Sequence, residues 1–349
     1  MTMFETYDKI VKNYINLYDD NIVLLAQIGG FYEIYAVPDE NMGCKNINEI
    51  AELLNLTLTR KNKSVIEITR SNHLLVGFPL YQLNKYIDIL VNNNKTVVLY
   101  EQVSPAPNPN RAITRVISPS TYINDNDFQS YENYLMTIYL TTDIDIKTKF
   151  KVFIIAIAIF DLATSKIYLY ENAIHNDSKL LIDDLYRIIN IYKPKEIVFF
   201  GDEIIPFDDL KNKLELNNIS LLNKINDFNK DFLKLKFQNE ILSKVYYDTG
   251  MLSPIEYCNL ELNPNLVITF SYLINFIYSH STEYINNIST PIIIENDNKL
   301  ILFYNCIKKL NVVNLENKNK NSSLLNCSTR SLNGSYPSRT SPSGLNISS

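Results

Sequence analysis

The feature that most constrains this chain is the nine-residue run Gln27-Ile28-Gly29-Gly30-Phe31-Tyr32-Glu33-Ile34-Tyr35. Leu24 and Leu25 lead into it as a buried strand, and two glycines then permit a backbone angle or a close approach that a side chain would exclude. On an extended strand Phe31 and Glu33 point to the same side. A core does not accommodate an aromatic ring beside a carboxylate. Either Phe31 packs inward with Glu33 at a strand end in water, or the two form a binding site.

Composition limits the classes of protein that this chain can represent. A chain of 349 residues with 46% hydrophobic content is long enough for two or three domains, each with its own core. The net charge is −5 and the sequence pI is about 5.4, so no global field draws the protein to nucleic acid. Any contact with DNA must therefore come from local basic residues.

Several site classes and locations are disfavoured by the sequence. The four cysteines are widely spaced, without a C-x-x-C pair or a nearby His, so neither a zinc site nor a disulfide framework is expected. The first residues lack the features of a signal peptide. The most apolar window, 266–278, is too short to span a bilayer and is predicted to be a core helix. We expect an intracellular protein without a membrane partner, in a compartment that the sequence does not distinguish.

Periodicity divides the chain into regions of different character. Mixed helix and strand patterns over 1–123 predict a compact α/β domain, and a polar linker follows at 124–127. Residues 128–225 predict a second α/β unit with a mixed sheet. Residues 226–329 read as helical. The Ser-rich segment 330–349 cannot bury a core and is predicted to be a disordered or non-native tail.

Individual elements are predicted from the same patterns. Helices are expected at 4–18, 47–54, 83–91 and 178–192, and strands at 56–60, 74–78, 96–100, 112–117, 151–160, 166–170 and 197–200. The proline-rich stretch Pro105–Pro109 is expected to be a connection, because proline cannot join a central ladder.

Five blocks, taken in order, resemble the mismatch-binding domain of the MutS family of DNA repair proteins. They are the run 24–35, Leu56-Thr57-Leu58-Thr59-Arg60, Val76-Gly77-Phe78-Pro79, Val98-Leu99-Tyr100-Glu101-Gln102, and 111–121. The sequence departs from the family at two places, since the family commonly has Asp where Gly30 stands and Gly where Ser120 stands. The first departure could loosen the loop that presents Phe31.

The resemblance implies a multidomain fold. Residues 1–123 would be the α/β mismatch-binding domain, residues 128–225 a connector with a ribonuclease-H-like mixed sheet, and residues 226–329 part of an all-α lever. Segments 301–311 and 324–329 also look like family blocks, and the likeness stops after them. We therefore expect a truncated homologue.

The resemblance also implies a mechanism. Phe31 would wedge beside a mispaired base from the minor groove and kink the duplex, presented by Gly29 and Gly30. Glu33 would accept a hydrogen bond from an imino N–H or, when protonated, donate to a purine acceptor. The partner would be double-stranded DNA with mismatches or small loops.

Further expectations concern the residues that contact the DNA backbone, the cofactors and the protein partners. Arg60, Lys61, Lys63 and Arg111 are candidates for phosphate contacts, although a basic loop is also the ordinary composition of a solvated turn. No G-x-x-x-x-G-K-[ST] motif occurs, so we expect neither an ATPase nor a cofactor in this chain; ATP and Mg are expected only for a full-length relative. A MutS-type dimer partner and downstream repair proteins are expected at the connector.

Two alternatives stay open. The chain could be a protein-interaction module that acts through the connector without appreciable DNA binding of its own. In the second alternative the chain would be a nuclease, in which Asp161, Asp184 and Asp202 form a carboxylate cluster on the second sheet and bind the catalytic metal ions. Unrelated carboxylates at strand ends and on a helix surface are the simpler interpretation of these three residues.

Overall fold

The computed structural model describes residues 2–18, 21–105, 109–122, 133–175, 177–216, 219, 221–225, 228–280 and 288–295. The expected linker at 124–127, the family-like segments at 301–311 and 324–329, and the tail at 330–349 lie outside these residues.

The described part of the chain contains eight α-helices, thirteen strands and three short 3-10 helices. The helices are α1 Met3–Tyr18, α2 Ile47–Leu53, α3 Leu83–Asn92, α4 Ser178–Tyr192, α5 Phe207–Lys213, α6 Leu235–Leu242, α7 Pro254–Tyr257 and α8 Pro264–His280. The strands are β1 Ile22–Ile28, β2 Phe31–Val37, β3 Met42–Gly43, β4 Thr59–Arg60, β5 Leu74–Pro79, β6 Thr96–Gln102, β7 Arg111–Ile117, β8 Tyr134–Ile144, β9 Lys151–Asp161, β10 Lys166–His175, β11 Glu196–Gly201, β12 Leu221–Lys224 and β13 Ile292–Ile293.

The first sheet has the strand order β4-β5-β2-β1-β6-β7, with β3 paired to β2. Only the pair β1 and β6 is parallel. Helix α1 covers one face, where the Tyr7 hydroxyl donates to the Leu24 carbonyl at 2.9 Å. Helices α2 and α3 cover the other face. The sheet therefore lies between two helix layers. Because side chains alternate between the two faces of a strand, successive residues of β2 face α1 and the α2–α3 layer in turn.

The second sheet has the order β12-β11-β8-β9-β10-β13. Strands β8, β9 and β10 form an antiparallel meander, whereas β11 runs parallel to β8 and β12 runs parallel to β11. Helices α4 and α5 pack on one face, and α8 packs across β8 and β9 on the other. The mixed α/β character predicted for this region is confirmed.

Several predicted elements need correction. Strand β8 was not predicted, although it lies in the centre of the second sheet, and neither were α5 and β12. The expectation of a purely helical region after residue 226 is wrong at Ile292–Ile293, because these residues pair in parallel with β10 as β13. The strand expected at 56–60 is reduced to Thr59–Arg60, since only these two residues pair with β5.

The two sheets share buried contacts. One apolar cluster runs from α1 through the first sheet to α8 and the second sheet. The Tyr18 hydroxyl at the end of α1 lies 2.5 Å from His280 Nε2 at the end of α8. After β7, the hydroxyls of Ser118 and Ser120 donate to the carboxylate of Glu196 at the start of β11. Polar as well as apolar side chains thus join the two sheets.

Candidate nucleic-acid interface

A two-residue hairpin presents the predicted site. Strands β1 and β2 pair antiparallel with Ile28 opposite Phe31, so Gly29 and Gly30 form the whole connection. Gly29 has a φ of +57°, in the left-handed region that tight hairpins require and that glycine adopts without strain. A Cβ at either glycine would meet no atom within 4 Å. Gly29 is therefore needed for its backbone angle and not for a close approach.

Phe31 projects from the first position of β2. Its side chain is 50% exposed, although phenylalanine is among the residue types that are most often buried. Tyr32 and Ile34, which point to the opposite face, are buried against α2 and α3. The interpretation in which Phe31 packs inward is wrong, because the ring is half exposed and belongs to none of the buried apolar clusters of the described residues.

Glu33 lies on the same face as Phe31, as the alternation predicts. The buried Tyr35 hydroxyl donates a hydrogen bond to Glu33 Oε2. Gly77 stands directly opposite Glu33 on β5, and a Cβ there would lie 3.2 Å from Glu33 Cγ and 3.1 Å from the Tyr32 carbonyl oxygen. Sequence reasoning did not assign a role to Tyr35 or Gly77. A glycine inside a strand is the signal that could have found the second of them.

The Tyr35 ring is held by aromatic neighbours. It makes edge contacts with Tyr7 at 5.0 Å and with His73 at 4.6 Å between ring centroids, and His73 in turn stacks on Phe4 at 4.8 Å. Burial raises the pKa of Tyr35 far above its usual value, and the hydrogen bond to Glu33 and that residue's charge raise it further. The charge of Arg111 acts in the opposite direction on the same group.

Arg111, the first residue of β7, is hydrogen-bonded to the hairpin between β1 and β2. Its Nε donates to the Gln27 carbonyl at 3.2 Å. In the orientation that fits its neighbours, the Gln102 side-chain oxygen accepts from the Gly29 N–H at 3.2 Å and from Arg111 Nη2 at 3.0 Å. The Gln102 backbone N–H donates to Gln27 Oε1 at 2.9 Å. Among the predicted basic residues, Arg111 is the one that holds this hairpin, through the Gln27 carbonyl and through the Gln102 side chain that binds the Gly29 N–H.

The basic loop is separate from this hairpin. Arg60 is aligned through β5 with Ala36, five positions along β2 from Phe31 and two strands away, which corresponds to about 20 Å. Its neighbour across the ladder, Leu74, packs on the α2 and α3 face, so the Arg60 side chain leaves the sheet on the face opposite to Phe31.

The loop between β4 and β5 is held together by hydrogen bonds among its own residues. The Arg60 guanidinium donates to the Ile66 carbonyl at 2.8 Å, and Asn72 donates to the carbonyls of Val65 and Glu67 at 3.1 and 2.8 Å. Lys63 joins Arg60 at the wall of an open cavity of about 500 Å³. Lys61 follows Arg60 on the exposed side of the loop. The predicted phosphate-contact residues therefore form two groups, with Arg111 in one and the loop residues in the other.

A second exposed aromatic side chain lies next to the hairpin. The Leu80 N–H donates to the Gly30 carbonyl at 3.0 Å, which ties the turn after β5 to the glycine pair. The next residue, Tyr81, is 83% exposed. Sequence reasoning did not single it out, because no periodic pattern marks an exposed ring in a turn.

The three aspartates proposed as metal ligands are not brought together. Asp161 accepts from Thr164 and the Ala163 N–H in the β9–β10 turn, whereas Asp184 binds Arg187 at 2.7 Å inside α4. Asp202 accepts from Thr141 at the opposite end of the second sheet. Within the described residues no group of three or more His, Cys, Asp or Glu side chains could hold a metal ion. The arrangement needed for the nuclease interpretation does not occur among these three residues.

No helix in the described part of the chain is long and apolar enough to cross a membrane.

Comparison with known proteins relates this chain to DNA mismatch repair proteins. Residues 2–126 match the family profile described as MutS domain I. A putative DNA mismatch repair protein of Acanthamoeba polyphaga mimivirus, a mutS homologue, is 26% identical over 90% of this chain and 30% of its own length. The DNA mismatch repair protein MutS of Borreliella burgdorferi is 26% identical over 92% of this chain and 32% of its own length. The chain spans about a third of the length of these relatives. The chain thus begins with a MutS domain I at residues 2–126 and is similar to MutS homologues along nearly all of its length.

Proposed function

We propose that this chain binds mismatched double-stranded DNA by inserting Phe31 beside a mispaired base, with Glu33 meeting the displaced base. The observation that carries the proposal is the half-exposed Phe31 ring at the start of β2, presented by a hairpin that Gln102 and Arg111 brace from below. The names of the relatives, which are mismatch repair proteins, support the same function.

The wedge obtains its selectivity from the DNA. An apolar ring inserted from the minor groove unstacks a base step and kinks the duplex. Stacking a base on an aromatic ring contributes roughly 1–3 kcal/mol and does not depend on base identity. A mismatched step is already weakly stacked and is deformed at a lower cost than a paired one. The same Phe31 contact therefore gives tighter binding where pairing has failed.

Glu33 contributes discrimination more than affinity. A carboxylate close to the phosphate backbone is repelled by undistorted DNA. When a base is displaced toward the protein, the carboxylate gains a hydrogen-bond partner that offsets part of this repulsion. The spacing of Phe31 and Glu33, two residues apart on one face, allows both side chains to reach one base-pair step.

Phosphate contacts would come from two places. Arg111 lies at the hairpin that carries Phe31, and the exposed Lys61 and Lys63 lie about 20 Å away, which corresponds to roughly six base pairs along a duplex. The Arg60 side chain points to the opposite face of the sheet, so its contact would require the DNA to reach around the edge strand β4. Such contacts set the register of the protein on DNA without reading sequence.

The rest of the chain is proposed to follow the family plan. The second sheet would serve as the connector and the helices after residue 226 as the start of the lever. A MutS-type dimer partner and repair proteins would bind there. In this proposal the chain recognises DNA without hydrolysing ATP, and ATP and Mg belong to the function of full-length relatives. Its location would be wherever DNA is maintained in the cell.

A second candidate function is a protein-interaction module without DNA binding of its own. It is favoured by three exposed apolar side chains at the tip of the β8–β9 hairpin, Ile144, Ile146 and Phe150, which are 63%, 82% and 59% exposed. Exposed apolar groups that lie together mark interaction surfaces more often than isolated ones do.

A titration with labelled duplexes separates the two candidates. Fluorescence anisotropy would compare a G·T mismatch, a one-nucleotide loop and a fully paired control at moderate salt. The wild-type chain should prefer the first two, and Phe31→Ala should lose that preference while Leu262→Ala, a truncation at a 91% exposed site elsewhere, retains it. Equal affinity of the wild type for all duplexes refutes the wedge, and no binding at all favours the interaction module.

A further inference from the structure

We infer that Tyr35 is the positioning residue for Glu33: its buried hydroxyl occupies one carboxylate oxygen and leaves the other directed to an N–H donor of the displaced base. The inference rests on the proposed role of Glu33 in DNA recognition. It also chooses between the two ways in which a glutamate can meet a base, as hydrogen-bond acceptor or as protonated donor.

The position of the Tyr35 hydroxyl is fixed by packing. The residue is 5% exposed, and its ring contacts Tyr7, His73 and Phe4 at centroid distances of 5.0, 4.6 and 6.5 Å. Two of these rings come from α1 and the third from the end of the loop before β5. A ring enclosed in this way has no alternative rotamer without displacing its neighbours. Its O–H therefore reaches Glu33 from one fixed direction.

The position of Glu33 is fixed by the opposite strand. Gly77 faces it on β5, and the Glu33 Cγ occupies the space next to the missing Cβ. The carboxylate can therefore lie flat over β5 with Oε2 toward Tyr35. This leaves Oε1 as the oxygen available to a ligand from the side of Phe31.

The chemistry of the pair selects the ligand group. A phenol donates a stronger hydrogen bond to an ionised carboxylate than to a neutral acid, because charge-assisted hydrogen bonds are about twice as strong as neutral ones. Tyr35 therefore favours Glu33 as an acceptor. The matching group on DNA is a base N–H, such as the imino or exocyclic amino group of an unpaired base, and not a ring nitrogen that itself accepts.

The strand provides a matched control. Tyr32, three positions before Tyr35 on β2, donates its hydroxyl to Glu101 on the other face of the sheet. Tyr32→Phe and Tyr35→Phe each retain the ring and remove one phenol–carboxylate hydrogen bond. Only Tyr35→Phe removes it from the carboxylate beside Phe31.

The test is a double-mutant cycle on mismatch preference, the ratio of the affinities for a G·T duplex and a paired duplex. Tyr35→Phe should lower this ratio about tenfold, the lower end of the effect of losing one hydrogen bond to a charged group, and Tyr32→Phe should leave it unchanged. In the Glu33→Ala background, Tyr35→Phe should cause no further loss. Thermal unfolding of each variant reports any purely structural effect.

The outcomes separate this inference from the function on which it rests. If Phe31→Ala abolishes the preference while Tyr35→Phe leaves it intact, the inference on Tyr35 is wrong and the wedge stands. If Tyr35→Phe lowers the preference equally with and without Glu33, Tyr35 acts on the sheet in general, which also overturns the inference. A wild-type chain without any mismatch preference refutes the proposed function itself.

Discussion

Glu196 allows a stability prediction with a defined sign and size. This residue begins β11 and is completely buried. Its carboxylate accepts from Ser118 Oγ at 2.7 Å, from Ser120 Oγ at 2.5 Å and from Asn223 Nδ2 at 3.1 Å. It therefore joins the turn after the first sheet to two strands of the second sheet. Replacement by glutamine keeps the shape and one acceptor, and the Asn223 amide can turn to accept from the new NH₂ group.

The magnitude follows from the titration of this carboxyl group. Burial raises the pKa of Glu196 from 4.5 to about 7, and the hydrogen bonds from Ser120, Ser118 and Asn223 act against that rise. The folded protein thus retains a proton that the unfolded chain releases near pH 4.5. The contribution of this group to stability is full below that pH and is lost as pH rises through about 7. A shift of this size corresponds to about 3 kcal/mol of unfolding free energy.

Urea unfolding at pH 5 and pH 8 measures this contribution. Glu196→Gln should match the wild type at pH 5 and exceed its unfolding free energy at pH 8 by about 3 kcal/mol. Glu52→Gln, at an exposed site on α2, is the control and should follow the wild type at both pH values. If Glu196→Gln shows the same pH dependence as the wild type, or is the less stable protein at pH 8, the reasoning from burial is refuted.

Three further predictions concern the DNA site. Gly77→Ala should reduce mismatch preference and lower the unfolding free energy by about 1–3 kcal/mol, because its methyl group would displace the Glu33 side chain; a variant that equals the wild type in both anisotropy and urea titrations would contradict this. Arg111→Met should weaken binding to paired and mismatched duplexes alike, because a phosphate contact carries no sequence information, and an unchanged affinity for both would exclude that contact. Lys61→Gln should reduce the slope of log affinity against log salt by about 0.9 if this side chain contacts a phosphate, and a slope equal to that of the wild type would exclude the contact.

The placement of Phe31 and Glu33 could be predicted from the sequence, because alternation along a strand depends only on local geometry. The bounds of α4, 178–192, were predicted for the same reason, since an amphipathic stripe and a following Pro194 mark it. The site residues that stayed hidden depend on long-range contacts. Tyr35 meets Glu33 with its hydroxyl because rings from α1 and from the loop before β5 fix it there.

Two further features were missed for different reasons. Strand β8 is buried between helix layers on both faces, and its polar Thr137 and Thr141 interrupt the apolar run by which such strands are recognised. The contact of Arg111 with the hairpin was not predicted, and its contact with phosphate stays a prediction. A shift in pairing between β6 and β7 at Leu99 and Tyr100 places the start of β7 beside the hairpin, where Arg111 binds the Gln27 carbonyl. A contact between residues as far apart in the sequence as Gln27 and Arg111 cannot be deduced from one sequence.

The most direct test of the account is to observe the base step that Phe31 should open. A 2-aminopurine placed next to a G·T mismatch fluoresces more strongly when it is unstacked. Saturating amounts of the wild-type chain should raise this fluorescence on the mismatched duplex and leave it unchanged on the paired one, and Phe31→Ala should give no rise on either duplex at a concentration where anisotropy shows it bound. An equal rise with Phe31→Ala, or no rise with the wild type when fully bound, would contradict the claim that this ring unstacks a mismatched base.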